Sequence, residues 1–479
     1  MSPIQLPDGV AGRSVSGQIG SDQVDDLRKA LTAGYGSDVA ALTGGGALRV
    51  QSLDMTMMST IQENQHFTLM NSLQKSNATA TVDEWTEQDG VGGFRGGSVN
   101  SELGVIPSAT GSYARRVGTV KYLMTRREVS FVQTLQDSID DSEIIEENNG
   151  ALQLLTDCEY LMFEGDESVV PTEFDGIAKQ ITDLGSSDHI IDHAAGPLDS
   201  IQTINQAAST IAGSGNFGTP TDLFLSFLGQ ADLDTSLDPA FRVSLNGTGT
   251  DTVLGSPVSA MRTTWGQIKN CPDVFIRDEM QMKPFEIDFP TLAAANAYIP
   301  AGAAGVVAAD VSSKFGAAHA GNYFYAVAGI TAAGQSNVDV SAQVTVAAGD
   351  KVTLTITRSG AQTETGYVIY RSRKNGTNAV DDFREMARVP VAGATTVFVD
   401  LNRDIPGTTK AYMLNMKPGM NAITWRQYLP MSRFELYPTN TATKPWAQLL
   451  FGFLRISKRK QHVVIKNILP NSAVWRPFD

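Results

Sequence analysis

The most regular helical repeat of apolar residues lies between residues 130 and 164. Val132 and Leu135 begin an apolar stripe that Leu152 continues, and acidic residues occupy the opposite face. This amphipathic pattern predicts a long helix. The "NNG" of residues 148–150 predicts a kink or interruption within it, because Asn and Gly are poor helix formers.

The chain before this helix is divided into two segments. In residues 1–82 the helical repeats are short and only moderately apolar, which predicts an arm of short helices that lie on other structure. Residues 83–128 contain, at 85–104, the stretch "WTEQDGVGGFRGGSVNSELG", in which six of 20 residues are glycine, and continue with strand-like sequence. We therefore expect residues 83–128 to form an extended hairpin with a pliable outer half.

A period of two replaces the helical repeat near residue 290. In "DKVTLTITRS", Val352, Leu354 and Ile356 alternate with threonines, and several such runs follow between turn-rich segments. We predict an independent antiparallel β-sandwich over residues 290–410, inserted in a loop of a host domain. Residues 186–289 mix helical and strand patterns, so the fold class is α+β.

Charge is distributed unevenly along the chain. The formal net charge is −14, but residues 101–200 carry 6 Lys and Arg against 19 Asp and Glu, whereas residues 411–479 carry 10 against 2. Two interpretations are open. Unlike patches on different copies attract one another head to tail, or the two regions neutralise each other within one monomer.

The sequence gives little support for a membrane-spanning segment, for disulfide bonds or for a cofactor site. No apolar run is long enough to span a bilayer, the first residues lack the order of a signal peptide, and Cys158 and Cys271 lie far apart, which predicts buried thiols and a cytoplasmic site of synthesis. Gly90 begins an incomplete G-x-G-x-x-G that ends on Arg95, without the strand and helix that a dinucleotide site needs.

Metal, catalytic and nucleic-acid sites are also weakly supported. His189 and His193 are four residues apart but lie in a segment of loop composition that lacks the remaining ligands of a zinc site. No nucleophile motif occurs, so we predict no enzyme activity, no cofactor and no bound metal. The basic run "RISKRKQHVVIKNI" favours a solvated or subunit-pairing surface over nucleic-acid binding, because the whole chain is acidic.

The order of these elements resembles the major capsid proteins of tailed bacteriophages, which have the Hong Kong 97-like fold. The glycine-rich stretch occupies the position of that family's extended loop. "VQTLQDSIDDSEIIEENNGALQLLTDCEYLMFEGD" occupies the position of its spine helix, and "ITWRQYLPMSRFELYP" and "LLFGFLRISKRKQHVVIKNI" are similar to its closing strands.

The resemblance implies five parts. They are an N-terminal arm (1–82), an extended loop (83–128), a peripheral domain (129–185, completed by 436–479), an axial domain (186–289, completed by 411–435) and the inserted sandwich (290–410). "TGYVIYRSR" and "GNYFYAVAGITAAGQS" in the insertion resemble strands of immunoglobulin and fibronectin type III modules, which implies display on the outer surface of a shell.

A capsid protein of this kind assembles from hexamers and pentamers into an icosahedral shell that encloses double-stranded DNA. The implied partners are further copies of the chain, with scaffolding, portal and decoration proteins, in a virion assembled in the host cytoplasm. The expected subunit-contact residues are Arg95, Glu102, Arg115, Arg116, Lys458, Arg459 and Lys460. No lysine lies between Ser76 and Val120, so the isopeptide cross-link of the founding member is not expected here.

Two other functions are compatible with the sequence. One is an encapsulin-like compartment that encloses proteins. The other is a surface module in which the inserted sandwich recognises carbohydrate or protein. The candidate aromatic contacts for that module are Tyr323, Tyr325, Tyr367 and Tyr370, although strand alternation places at least half of them in a core.

Overall fold

The computed structural model describes residues 66–135, 141–213, 215–236, 258–279, 282, 299–361, 363–438 and 441–479. All but Asp141 belong to one compact unit, residues 61–136 and 142–479. Most of the predicted arm therefore lies outside the described residues. No described helix is long and apolar enough to cross a membrane.

The first layer of the host is a four-stranded sheet with a helix on one face. Its strands are β1 (Gln74–Asn77), β4 (Lys121–Ser130), β20 (Ile423–Glu435) and β21 (Thr443–Ile456), in the order β1-β20-β21-β4. Helices α1 (Thr68–Ser72), α2 (Phe131–Leu135), α3 (Ser142–Glu164) and α4 (Ile177–Thr182) accompany it. Phe67, Leu69 and Met70 are buried in the core between them, so the end of the predicted arm is part of the host core.

Helix α3 confirms the predicted long helix but not its interruption. The helix runs without a break through residues 148–150, because Gly150 lies buried against Gln448 of β21. A Cβ at this position would clash with the Gln448 side chain, and the glycine therefore allows close packing of helix on strand. Residues 131–135 form a separate short helix in which Val132 and Leu135 are exposed.

The second layer of the host is a six-stranded mixed sheet. Strands β5 (Ile190–Gly196), β6 (Asp222–Leu225), β7 (Ala260–Thr263), β8 (Gly266–Pro272), β19 (Thr409–Leu414) and β22 (Val463–Ile468) follow the order β5-β22-β19-β6-β8-β7. Helices α5 (Ile201–Ala212) and α6 (Phe227–Ser236) follow β5 and β6. The apolar face of α5 packs on this sheet, where Ile204, Ala208 and Ile211 share a core cluster with Ile465.

Two sequence predictions differ from this arrangement. Residues 423–435 and 443–456 pair in the first sheet and residues 409–414 and 463–468 in the second, so each of the predicted segments 411–435 and 436–479 contributes strands to both sheets. The segment around His189 and His193, predicted to be a loop, contains strand β5, because its backbone pairs in parallel with β22 far along the chain. The composition of residues 184–197 alone does not indicate that a strand so far along the chain pairs with them.

Residues 301–400 form an antiparallel block, here called the β insert, between β8 and β19 of one sheet. Strands β9 (Ala301–Ala309), β15 (Asp350–Thr357) and β18 (Thr395–Asp400) make one sheet. Strands β11 (Tyr325–Thr331), β12 (Gly334–Gln335), β13 (Asp339–Val340), β16 (Gly366–Ser372) and β17 (Phe383–Pro390) make another, and β10 (Gly321–Tyr323) pairs with β14 (Val344–Val346). As the alternation predicted, Val352, Leu354 and Ile356 are buried, in a core shared by both larger sheets.

The β insert is fastened to the host by buried polar contacts. The Arg277 guanidinium pairs with Glu385, and Arg388 donates to the Tyr160 hydroxyl oxygen at 2.6 Å. Burial alone would raise the pKa of Glu385, but the charges of Arg277 and Arg388 hold it well below its usual range. Three residues before Glu385, the Asp382 carbonyl oxygen accepts from the Trp475 indole N–H at 3.1 Å. These contacts orient the β insert on the host.

Candidate interaction surface

The predicted hairpin consists of strands β2 (Val82–Gly90) and β3 (Ser112–Thr119). The two strands pair in antiparallel register from Val82–Thr119 to Gly90–Ser112. The remaining residues of the predicted segment, 121–128, belong to β4 of the four-stranded sheet. The hairpin is therefore shorter than predicted, and its tip is the connection of residues 91–111.

Ion pairs fix the base of the hairpin to the host sheet. Arg426 reaches both carboxylate oxygens of Asp83, at 2.8 and 3.0 Å, and Arg455 reaches Asp83 at 3.2 Å. Arg459 makes a second such contact with Glu87, with nitrogen–oxygen distances of 3.1 Å. Because Glu87 and Arg459 are both buried, the base is held much more rigidly than a solvated loop would be.

The tip of the hairpin carries an unusual density of exposed apolar side chains. They are between 78% and 96% exposed, and are Val91, Phe94, Val99, Leu103, Val105 and Ile106. Local hydrogen bonds shape the tip, among them Gly97 N–H to the Phe94 carbonyl at 2.9 Å and the Asn100 amide to the Val105 carbonyl at 2.7 Å. A contiguous exposed apolar segment is typical of a surface that another protein covers.

The glycines of the tip have a conformational role. Gly92 has φ +86°, and a Cβ there would clash with the Thr110 carbonyl oxygen on the returning strand. This left-handed conformation closes the neck of the tip, which no other residue type does without strain. No phosphate-binding context is present, since the segment joins two antiparallel strands rather than a strand and a helix.

The expected contact residues fall into two groups. Arg95 and Glu102 are exposed at the tip, whereas Arg115 pairs with Glu84 and Arg116 with Glu87 on the hairpin strands. The structure does not bring these four side chains into one cluster. The sequence pattern drew attention to charges and missed the apolar tip residues, although their spacing within the glycine-rich segment was visible.

The basic run near the C-terminus is only partly a surface. Lys458 is exposed and Lys460 is half-buried. The contact of Arg459 with another subunit stays a prediction; within the chain its buried side chain is paired with Glu87. Arg116 meets the same carboxylate at 3.1 Å, so one glutamate joins two of the seven predicted residues.

The acidic helix and the basic end of the chain meet within one molecule. Arg433 of β20 pairs with Glu143 and with Glu147 of α3, the latter at 2.7 Å, and Lys444 lies 3.5 Å from Glu143. The hydrogen bond from Arg433 holds the pKa of Glu143 below its usual range. On this helix, neutralisation within the monomer is therefore observed.

The remaining candidates for chemistry have structural roles. The His189 ring Nδ1 lies 3.0 Å from the His462 carbonyl oxygen, and His193 Nε2 lies 2.6 Å from the Pro197 carbonyl oxygen. Within the described ranges, no three His, Cys, Asp or Glu side chains gather as metal ligands would. The thiols of Cys158 and Cys271 are buried, as predicted, and burial raises the pKa of Cys271 to about 11.

The tyrosines proposed as exposed contacts of the β insert are all buried. Tyr323, Tyr325 and Tyr367 lie in the core between the two sheets, and Tyr370 lies in a second cluster on the outer side of β16. The prediction of aromatic ligand contacts at these positions is therefore wrong. It failed because strands β11 and β16, which carry Tyr325, Tyr367 and Tyr370, are covered on both faces, while Tyr323 at the end of β10 is buried in the core between the sheets.

Comparison with known proteins gives a consistent set of relatives. No protein-family model matches the chain. A relative from Enterococcus phage phiEF24C is 26% identical over 462 residues, which is 93% of this chain and 95% of the relative. The major capsid proteins of Staphylococcus phages S25-3 and K are each 26% identical over 466 residues, with the same coverage.

Solved structures align along most of the chain at low identity. The capsid of a native GTA particle has a TM-score of 0.45 and 9% identity, covering 89% of this chain and 98% of its own. The SrpI encapsulin complex of Synechococcus elongatus PCC 7942 has a TM-score of 0.39 and 9% identity, covering 93% and 99%. Along nearly its whole length, the chain is similar in sequence to the major capsid proteins of phages.

Proposed function

We propose that this chain is a major capsid protein, which assembles through hexamers and pentamers into an icosahedral shell around double-stranded DNA. The observation that carries the proposal is the 26% identity to phage major capsid proteins over 93% of the chain. In this proposal the chain has the Hong Kong 97-like fold. The layer around α3 is the peripheral domain, and the six-stranded sheet is the axial domain.

The hairpin supplies the contact between subunits. Its base is fixed to its own chain through Asp83 and Glu87, so the apolar tip is presented outward in a defined direction. Burial of a large apolar side chain stabilises a contact by about 1.5–3 kcal/mol. Several such side chains at the tip, repeated at every copy of the subunit, are enough to hold a shell together.

Charged residues add specificity to this contact. Arg95 and Glu102 at the tip, and Arg115 and Arg116 on strand β3, are the hairpin charges that a neighbour would meet. Lys458 and Lys460 form a second basic contact beside Arg459, whose own side chain is paired with Glu87.

The β insert extends the shell on its outer face as an immunoglobulin or fibronectin type III-like module. The antiparallel pairing of its strands supports this assignment. Further partners in this proposal are scaffolding, portal and decoration proteins, with assembly in the host cytoplasm and the shell as the final location. The DNA is enclosed without sequence-specific contacts, which suits an acidic chain with a net charge of −14.

Electron microscopy and sedimentation of the purified protein test the proposal, with scaffolding protein supplied where it is needed. We expect closed shells or rings of five and six subunits. The double variant Phe94→Ser, Leu103→Ser should give free subunits, and Val474→Ser should assemble normally, because Val474 is equally exposed but lies outside the hairpin. Persistent monomers of the unaltered chain would contradict the capsid function. Normal assembly of the double variant would contradict only the role of the tip. Shells filled with protein instead of nuclease-resistant DNA would indicate the encapsulin-like alternative.

A further inference from the structure

Among the described residues, strand β18 is an edge of its sheet with no strand on its outer side. There its residues Thr395–Asp400 pair with β15 alone, and β15 separates β18 from β9. Unpaired edges invite another strand, and proteins normally protect them with lysine, proline, a bulge or a covering segment. Among the described residues none of these devices covers the run from Thr395 to Val399, which contains no charged residue.

The hydrogen-bond register shows which groups are free at this edge. The Arg358 N–H donates to the Ala394 carbonyl, so residues 394, 396 and 398 direct their backbone groups toward β15. Thr395, Val397 and Val399 therefore direct their N–H and C=O groups outward. One residue further along, the outward carbonyl of Leu401 accepts from Lys314 N–H at 2.8 Å, which marks the end of the open stretch.

The open stretch is complementary to itself. An antiparallel copy centred on Val397 places Val397 opposite Val397, and Thr395 opposite Val399 at each end. This register pairs every outward group of the three residues. It also places no charge against a like charge, since Asp400 is buried and bound to Arg371 at 2.6 Å.

We propose that the β18 edges of two copies of this chain pair antiparallel about Val397. The occupant of each edge is thus a second copy, and the two three-stranded sheets join into one of six strands. The exposed side chains of Val397 and Val399 lie on one face of the joined sheet. The pairing is an interaction between β inserts, so it does not depend on the hairpin contact or on shell formation.

The surface that the two β18 edges would bury against each other is small, so a weak contact has to be detected. Five residues on each side fall well below the roughly 1,000 Å² of a stable interface, so the pair is weak in dilute solution. A covalent trap at high protein concentration records such a contact. Cys158 and Cys271 are buried and leave the introduced thiols as the reactive ones.

The test uses variants of the full chain that each carry one introduced cysteine, and a short bismaleimide. Val397→Cys should give a covalent dimer, because the two thiols face each other. Val399→Cys is the matched control on the same face of the same strand. Its two copies would stand four residues apart, about 14 Å, beyond the reach of the reagent.

A mixture tests the register independently. Neither Thr395→Cys nor Val399→Cys should form a dimer alone, but the two mixed together should form one. Val397→Lys should abolish the pairing without affecting the folded chain, because it places two ammonium groups together on an exposed position. Absence of the Val397→Cys dimer, or equal dimer yield from Val399→Cys, would overturn the proposal. Dimer formation through Val397 in protein that never assembles into shells would support it while the capsid function failed.

Discussion

The Arg371 guanidinium is buried in the β insert and depends on one carboxylate for compensation. Arg371 is fully buried and donates to Asp400 at 2.6 Å and to the Asn402 side-chain oxygen at 2.8 Å. The Tyr325 hydroxyl donates to the same Asp400 oxygen at 2.8 Å. The Asp400→Ala change therefore leaves the buried Arg371 cation without its carboxylate and removes the acceptor of the buried Tyr325 hydroxyl.

The size of the effect follows from these contacts. Breaking one side of a buried ion pair costs about 3–5 kcal/mol, which is a large part of the 5–15 kcal/mol that stabilises a typical domain. The β insert contains no tryptophan of its own. Hydrogen exchange measured on peptides from β15 and β16 reports on it directly. We expect amide protection there to fall by roughly two to three and a half orders of magnitude.

Two controls separate charge from packing. Asp400→Asn keeps the shape and an acceptor oxygen, so its loss of protection should be smaller than that of the alanine variant. Lys351→Ala removes a surface ion pair with Asp310 in the same sheet and should leave protection unchanged. A loss of less than about tenfold in Asp400→Ala would show that Arg371 does not rely on this carboxylate.

Three further predictions concern the host. Burial lowers the pKa of His462 to about 3, so below pH 6.5 the unfolded chain binds a proton that the folded chain does not. The free energy of unfolding should therefore fall by about 2 kcal/mol from pH 6.5 to 5, and the melting temperature with it. In His462→Gln the melting temperature should depend less steeply on pH. Glu87→Ala leaves the buried Arg459 without its carboxylate, and proteolysis at the hairpin base should accelerate while Glu87→Gln has a smaller effect. Gly92→Ala should distort the hairpin neck and reduce assembly more than Gly96→Ala does. Both glycines have positive φ, but only a Cβ at Gly92 would clash with a neighbouring residue, Thr110. Equal effects of the two changes would mean that the backbone conformation alone decides.

The sequence pattern predicted elements better than it predicted their neighbours. The α3 helix and the alternation in β15 were evident because each depends on local periodicity. Gly150 was misinterpreted because a glycine that ends a helix and one that admits a neighbouring side chain have the same local signal; only Gln448, about 300 residues away, distinguishes them. The same distance problem concealed the partner of Arg459, which lies 372 positions away.

The candidate surface was predicted in position but not in character. The glycine content indicated a projecting hairpin, and the strands Val82–Gly90 and Ser112–Thr119 agree with it. The sequence did not show where the hairpin strands end and the tip begins, so it did not show which apolar residues would be exposed at the tip. Buried tyrosines such as Tyr370 were misassigned for a related reason, since the second layer over a strand comes from elsewhere in the chain.

The position of strand β22 determines how late the six-stranded sheet is completed during synthesis of the chain. It lies between β5 and β19, and β5 has no other partner in the described part of its sheet. Roughly 270 residues separate β5 from β22, so at 5–20 residues per second the ribosome delivers the partner strand tens of seconds after β5 emerges. During that interval the nascent chain retains an open sheet edge that needs protection from other nascent chains. The six-stranded sheet therefore closes only after residue 468 has been synthesised.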